Sequence, residues 1–269
     1  MNRIDAKFKE LKEKGVPAFI PFITAGDPDL DATRELILEF DRRGADMIEL
    51  GVPYSDPIAD GPVIQSSYYR ALSSGTKFSD ILELVRDIRK ESEIPIVSMI
   101  SQSILFKYGH KEFVKNAVNA GLDGATIPDL PVEEAEDIIE TGEMEDFKIA
   151  CFIAPTTTDS RVDLIVKKSQ GFLYYISVVG ITGSKNELDS EITNNIKKIK
   201  KVTSLPIALG FGISTPEQAR MAGKIADGVI VGSAIVREIE KHINQDCSVL
   251  VDKVGAFVGE LVASTKNQN

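Results

Sequence analysis

Eight short apolar runs recur along the chain at similar intervals, and they limit the possible folds more than any other feature. They occupy residues 18–24, 47–50, 94–100, 124–127, 148–153, 172–177, 206–209 and 227–231. A turn rich in Gly, Pro or Asp follows each, and then an amphipathic stretch. Runs this short and this apolar read as strands buried on both faces, the mark of parallel sheets. The stretches between them carry helical periodicity. In 78–90, Ile81, Leu84, Val85 and Ile88 share one face, with charges opposite. Leu36, Ile37 and Phe40 do the same in 33–43, and Ile192, Ile196 and Ile199 in 191–202. Asp29, Ser79 and Thr215-Pro216 read as helix starts. Eight strand–helix rounds in 269 residues predict one closed (β/α)8 barrel, a TIM barrel, spanning 1–269 as a single domain. An open, doubly wound sheet is the alternative, but no dinucleotide fingerprint accompanies it. Residues 1–14 predict an extra N-terminal helix over the barrel floor. The stretch around Thr76 predicts further helical structure between strands 2 and 3.

Charge and cysteine usage narrow the functions. Lys plus Arg number 31 against 41 Asp plus Glu, a net charge of −10. That balance argues against nucleic acid and against an anionic membrane surface, both of which recruit Lys and Arg. Two cysteines, Cys151 and Cys247, cannot build a disulfide framework. With only His110 and His242 beside them, a Cys/His zinc site is not expected. No run approaches the ~18 apolar residues of a membrane span, and no export signal stands out, which points to the cytoplasm.

Barrels of this kind place their chemistry at the C-terminal ends of the strands. After strand 2 comes a carboxylate, Glu49, inside the run Met47-Ile48-Glu49-Leu50. Burial would raise its pKa and fit it for acid–base work near neutral pH. A structural glutamate paired with Lys or Arg is the other reading. Asp60 ends the following loop, where it is either a second functional carboxylate or a plain Asp-Gly turn. After strands 7 and 8 come Gly210-Phe211-Gly212 and Gly232-Ser233. Such turns bring backbone N–H groups and a helix N-terminus to a phosphate, or they are simply tight turns. The connection 177–187 is either a lid or an ordinary loop. Tyr174 either aims its hydroxyl into the barrel mouth or fills core. Phe22, Ile100, Ile127, Ile153 and Phe211 stand near strand ends, lining an apolar slot for a flat aromatic substrate or packing in the core.

Several segments resemble the tryptophan synthase alpha chain family. They are Pro21-Phe22-Ile23-Thr24-Ala25-Gly26-Asp27-Pro28, Ile48-Glu49-Leu50-Gly51-Val52-Pro53-Tyr54-Ser55-Asp56-Pro57-Ile58-Ala59-Asp60-Gly61-Pro62 and Pro128-Asp129-Leu130-Pro131. Gly180-Ile181-Thr182-Gly183, Gly210-Phe211-Gly212-Ile213-Ser214 and Gly232-Ser233-Ala234-Ile235 extend the resemblance towards the end of the chain. The strand 2 segment carries most of the specificity. The resemblance implies cleavage of indole-3-glycerol phosphate to indole and glyceraldehyde 3-phosphate, without metal or organic cofactor. By resemblance Glu49 moves the protons and Asp60 accepts the indole N–H. Tyr174 supports Glu49, while Gly183, Gly212, Gly232 and Ser233 hold the phosphate. Thr182 would close over the substrate and bond Asp60, within a lid at 178–190. The resemblance also implies a beta-chain partner that carries pyridoxal phosphate, in an αββα assembly, with Asp56 and loop 53–60 at the interface. A lyase acting alone, a non-catalytic activator subunit and another phosphate-binding barrel are the competing readings. One departure stands out: Ser101-Gln102-Ser103 occupies the place of the family's Tyr-x-Asn after strand 3, which puts the usual interface contact in question.

Overall fold

The computed structural model describes residues 1–58, 60–177, 187–210 and 212–267, without the side chains of 187–189. The chain begins with helix α1 (Arg3–Lys14) and then alternates strand and helix. Strands β1 (Ala18–Thr24), β2 (Ile48–Gly51), β3 (Ile96–Met99) and β4 (Gly124–Thr126) form the first half of the sheet. Strands β5 (Lys148–Ile153), β6 (Leu173–Ile176), β7 (Ile207–Gly210) and β8 (Gly228–Val231) form the second. Every neighbouring pair is parallel, and β8 pairs back onto β1, so the barrel is closed. The eight runs therefore became the eight strands: β1 and β5 keep the expected bounds, β2 and β7 are shifted by one residue, and the other four are shorter. The run 94–100 pairs over only four residues, because β3 is in register with the short β2 from Ile48↔Ile96 to Gly51↔Met99.

The helices lie outside. α2 (Leu30–Arg42) is capped by Asp29, whose carboxylate accepts the Ala32 N–H at 2.7 Å. Between β2 and β3 lie two helices, α3 (Pro62–Ser73) and α4 (Phe78–Ile88). Ser79 is not the start of α4. Lys77 precedes its first residue, Asp80 accepts the Lys77 N–H at 3.1 Å, and Ser79 sits inside the first turn. An aspartate three residues along provides the N-terminal bond that the serine was expected to make. Helices α5 (Gln102–Tyr108) and α6 (His110–Ala120) follow β3, and α7 (Glu136–Met144) follows β4. α8 (Asp159–Lys168), α9 (Glu187–Ile199) and α10 (Pro216–Ile225) follow β5, β6 and β7. α10 starts at Thr215 with a reciprocal Thr215–Gln218 cap. α11 (Ser233–His242) and α12 (Cys247–Lys266) close the chain. No helix among the described residues is long and apolar enough to cross a membrane.

α1 covers the floor as expected. Its Ile4, Phe8 and Leu11 join Ala18, Ile20, Met47, Val97 and Ala208 in the barrel interior. The floor also shows a repeated clamp. A polar residue just before each even-numbered strand accepts an N–H from the odd-numbered strand beside it. Asp46 takes Phe19 N–H at 2.8 Å, Asp123 takes Ile96 N–H at 2.8 Å, and Asp227 takes Ile207 N–H at 2.9 Å. Gln170 does the same for Ile149 at 3.2 Å. Arg89 bonds Asp123 at 2.9 Å, and Lys266 bonds Asp46 at 2.9 Å. These contacts hold the rim opposite the site, where polar residues of a barrel serve stability.

Candidate active site

Strand residues two apart point to the same side, and the register therefore sorts inward from outward positions. The pairings run Glu49↔Val97↔Gly124, Thr126↔Ala150, Phe152↔Tyr174↔Ala208↔Gly228 and Ile230↔Ile20. Climbing two residues for every two strands puts Glu49, Thr126, Tyr174 and Ile230 in one interior layer. Layers of four from alternate strands are how such barrels fill. The layer above, nearest the mouth, is Phe22, Met99, Phe152 and Gly210. Ile100, Ile127 and Ile153 have the opposite parity and face outward. Ile100 is buried among the helices, Ile127 lines a separate cavity with Asp129 and Arg161, and Ile153 lines another with Asn195 and Val202. None of the three is among the residues lining the cavity that holds Glu49.

Glu49 is 2% exposed, and no cation among the described residues bonds it. Thr126 Oγ1 donates to its Oε1 at 3.0 Å, and the Tyr174 hydroxyl donates to its Oε2 at 3.4 Å. Burial pushes the Glu49 carboxyl up from 4.5 to about 7, the two hydroxyls offset part of that push, and the charge of Asp60 adds to it. The structural alternative, an ion-paired glutamate, finds no cation among the described residues. Tyr174 reaches this place because Gly210 leaves room. A Cβ on Gly210 would sit 2.7 Å from the Tyr174 hydroxyl oxygen and 2.6 Å from its ring. The ring of Phe152 packs beside it, with centroids 4.7 Å apart. Asp60 lies on the loop above. Its carboxyl is raised by burial, held back by a 3.1 Å bond from the Tyr54 hydroxyl, and raised again by the charge of Asp129.

A cavity of about 400 Å³ opens between these groups. Phe22, Ile64, Met99 and Ile230 form its apolar wall, with Glu49, Asp60 and Tyr174 at one end. Gly212, Ser214, Gly232 and Ser233 also line it, and Ser233 begins α11, so the N-terminus of that helix borders the cavity. Of the residues singled out from sequence, Phe22, Glu49, Asp60, Tyr174, Gly212, Gly232 and Ser233 thus share one cavity. Thr182, Gly183 and Phe211 lie outside the described residues, as does most of the segment 178–190, whose last four residues open α9. Asp56 is exposed on the β2–α3 loop, away from the cavity, and accepts the Ser55 hydroxyl at 2.7 Å.

Sequence reasoning passed over Met99, Thr126 and Arg237. The first two follow from parity once the register to Glu49 is known. Arg237 lies four residues after Ser233, one turn along the same face of α11. It lines the cavity and makes no hydrogen bond or ion pair with the described residues. An arginine this close to a helix N-terminus is unfavourable to the helix dipole, and an anion at that terminus reverses the balance.

The comparisons agree with this geometry. A family model described as "Tryptophan synthase alpha chain" matches residues 8–266. The tryptophan synthase alpha chain of Thermoanaerobacter sp. (strain X514) is 44% identical over 261 residues, covering 97% of this chain and 98% of the relative. That of Clostridium kluyveri (strain ATCC 8527) is 46% identical over 264 residues, covering 98% and 99%. Among solved structures, tryptophan synthase subunit alpha from Legionella pneumophila str. Paris superposes with a TM-score of 0.90 at 35% identity, over 99% of both chains. With motif, fold and full-length likeness in accord, the chain belongs to the tryptophan synthase alpha chain family.

Proposed function

We propose that this chain cleaves indole-3-glycerol phosphate to indole and glyceraldehyde 3-phosphate as the lyase subunit of tryptophan biosynthesis. The observation that carries the reading is the buried Glu49 carboxyl, poised at about 7, in one cavity with Asp60 and the β7–β8 helix terminus.

The chemistry suits these groups. Indole leaves poorly as a C3 carbanion, so C3 must be protonated first. Protonated Glu49 gives its proton to C3, forming an indolenine whose positive N–H is received by the Asp60 carboxylate. The Glu49 carboxylate then takes the proton of the adjacent side-chain hydroxyl. The O–H electrons become the aldehyde C=O, the bond to C3 breaks, and its electron pair restores the ring. Glu49 ends protonated, ready for another turnover. A group with a pKa near neutrality serves in both directions. Thr126 and Tyr174 hold the ionised form. The apolar wall of Phe22, Ile64 and Met99 takes the flat ring. Gly212, Gly232, Ser233 and Arg237 take the phosphate. Thr182 and Gly183 complete the site on this reading, and no step calls for a metal or organic cofactor.

A beta-chain partner carrying pyridoxal phosphate, in an αββα assembly, fits the surface. Ile58 is 93% exposed and Phe106 86% exposed, with Tyr69 also outward; Ile58 and Tyr69 lie in the β2–α3 segment that carries Asp56, and Phe106 lies in α5. Exposed large apolar side chains of this kind support an interaction face. The departure at 101–103 serves this face from beneath. Ser101 caps α5, and Asp129 accepts both the Ser101 hydroxyl at 2.7 Å and the Gln102 N–H at 2.8 Å. Residence in the cytoplasm accords with two unpaired cysteines. The test is turnover of indole-3-glycerol phosphate by the purified chain, alone and with a beta chain, with gel filtration of the mixture. Cleavage at the uncatalysed rate in both settings would refute the lyase reading. Cleavage without co-elution would instead support a lyase acting alone.

A further inference from the structure

Tyr68 lies on the buried face of α3 with Ile64, Ser67 and Ala71, two turns after Asp60. Its side chain is 1% exposed, and its hydroxyl has no hydrogen-bond partner among the described residues. A buried hydroxyl left unbonded destabilises a fold, and native chains rarely keep one without a use. A phenylalanine would fill the same space without that loss.

The placement of this hydroxyl is fixed. Ser67 bonds Thr24 at 2.6 Å and pins α3 to β1. The Tyr68 ring packs with Phe22, Ile64 and Met99, immediately behind the cavity wall, and a Cβ on Gly51 would lie 3.2 Å from it. It also packs on Tyr54, with centroids 5.4 Å apart. Tyr54 is the phenol that donates to Asp60 Oδ2, and among the described residues Oδ1 of Asp60 receives nothing. Burial raises the Tyr68 phenol well above its ordinary value, and the nearby charge of Asp60 adds to the rise, ahead of that of Glu49.

We infer that Tyr68 is a positioning residue for Asp60, its hydroxyl donating to the Asp60 carboxylate when that carboxylate turns to receive the indole N–H. Two phenols packed at a tilt of 52° then hold the carboxylate ionised and aimed, one on the loop and one on the helix behind it. The inference rests on the reading of Asp60 as the acceptor of the indole N–H.

The test is Tyr68→Phe, alone and in the Asp60→Asn background, assayed with indole-3-glycerol phosphate across pH 5–9. Loss of one bond to a charged group predicts a fall in kcat of about tenfold with KM little changed. The acid limb of the profile shifts upward in pH, because Asp60 loses a donor that favours its ionised form. In the Asp60→Asn background the same change has no further effect on kcat. The thermal midpoint of Tyr68→Phe equals or exceeds that of the parent, which separates lost function from lost folding. An active parent with Tyr68→Phe matching it in kcat and pH profile would overturn the inference alone. So would equal losses in both backgrounds, since Tyr68 would then act elsewhere. A parent without turnover would refute the functional reading itself.

Discussion

Glu49→Gln tests whether the central carboxyl is held in a state unfavourable to folding. The native carboxyl titrates at about 7, against 4.5 for the free group. Below pH 4.5 it is protonated both folded and unfolded, and the raised value contributes its full stability to the native state. As pH rises through about 7 the native chain must carry a buried carboxylate, and that contribution is lost. At ~1.36 kcal/mol per pKa unit, the window is worth about 3 kcal/mol, most of it between pH 5 and 8. Glutamine keeps the shape and does not titrate. The stability of Glu49→Gln relative to the parent should therefore rise by about 3 kcal/mol from pH 5 to pH 8. The same variant should lose at least ~100-fold in kcat, the scale of acid–base catalysis. Urea unfolding of both proteins at pH 5, 6, 7 and 8 reads the difference. Asp27 and Asp123, whose carboxyls are also raised by burial, titrate in both proteins and cancel. Parallel stability curves for variant and parent would refute the argument, because Glu49 would then ionise as freely folded as unfolded.

Three further perturbations probe other parts of the site and its frame. Thr126→Val removes the 3.0 Å donor that favours ionised Glu49, so the pH break assigned to Glu49 should move above about 7 in profiles of kcat/KM. A break that stays in place would deny Thr126 that role. Arg237→Met should raise KM for the phosphate ester by about tenfold with kcat little altered, as for loss of a charge-assisted bond. Steady-state kinetics would show it, and an unchanged KM would leave the phosphate to the backbone alone. Asp123→Ala strips the floor of the acceptor for Arg89, Arg3 and the Ile96 N–H. Leaving the mostly buried Arg89 unpaired should lower stability by ~3–5 kcal/mol in urea unfolding while kinetics of the folded enzyme stay as in the parent.

Much of this was legible in the residues, and what was missed has a physical reason. The eight apolar runs set the barrel because a strand buried on both faces needs no alternation, so its run is plain to see. That same uniformity hides which residues face inward. Ile100, Ile127 and Ile153 are as apolar as Met99 and Phe152, and only the register separates them. Glu49 supplies that register: a carboxylate within such a run marks the inward face of β2, and parity from it reaches Thr126 across the barrel. Arg237 was within reach too, one helical turn beyond Ser233, but an acidic net charge drew attention to backbone dipoles rather than to a single cation. Tyr68 was not legible. It precedes another tyrosine in α3, and nothing local tells the buried ring from the exposed Tyr69. What distinguishes it is the helix phase set by Ile64 and Ser67 against β1, and the missing partner of its hydroxyl. Among the described residues the chain thus keeps two groups near one barrel mouth that folding alone disfavours, an acid without a cation and a phenol without an acceptor. Glu49 lines the cavity and Tyr68 packs behind its wall, and a bound ligand is the circumstance in which groups of this kind find partners.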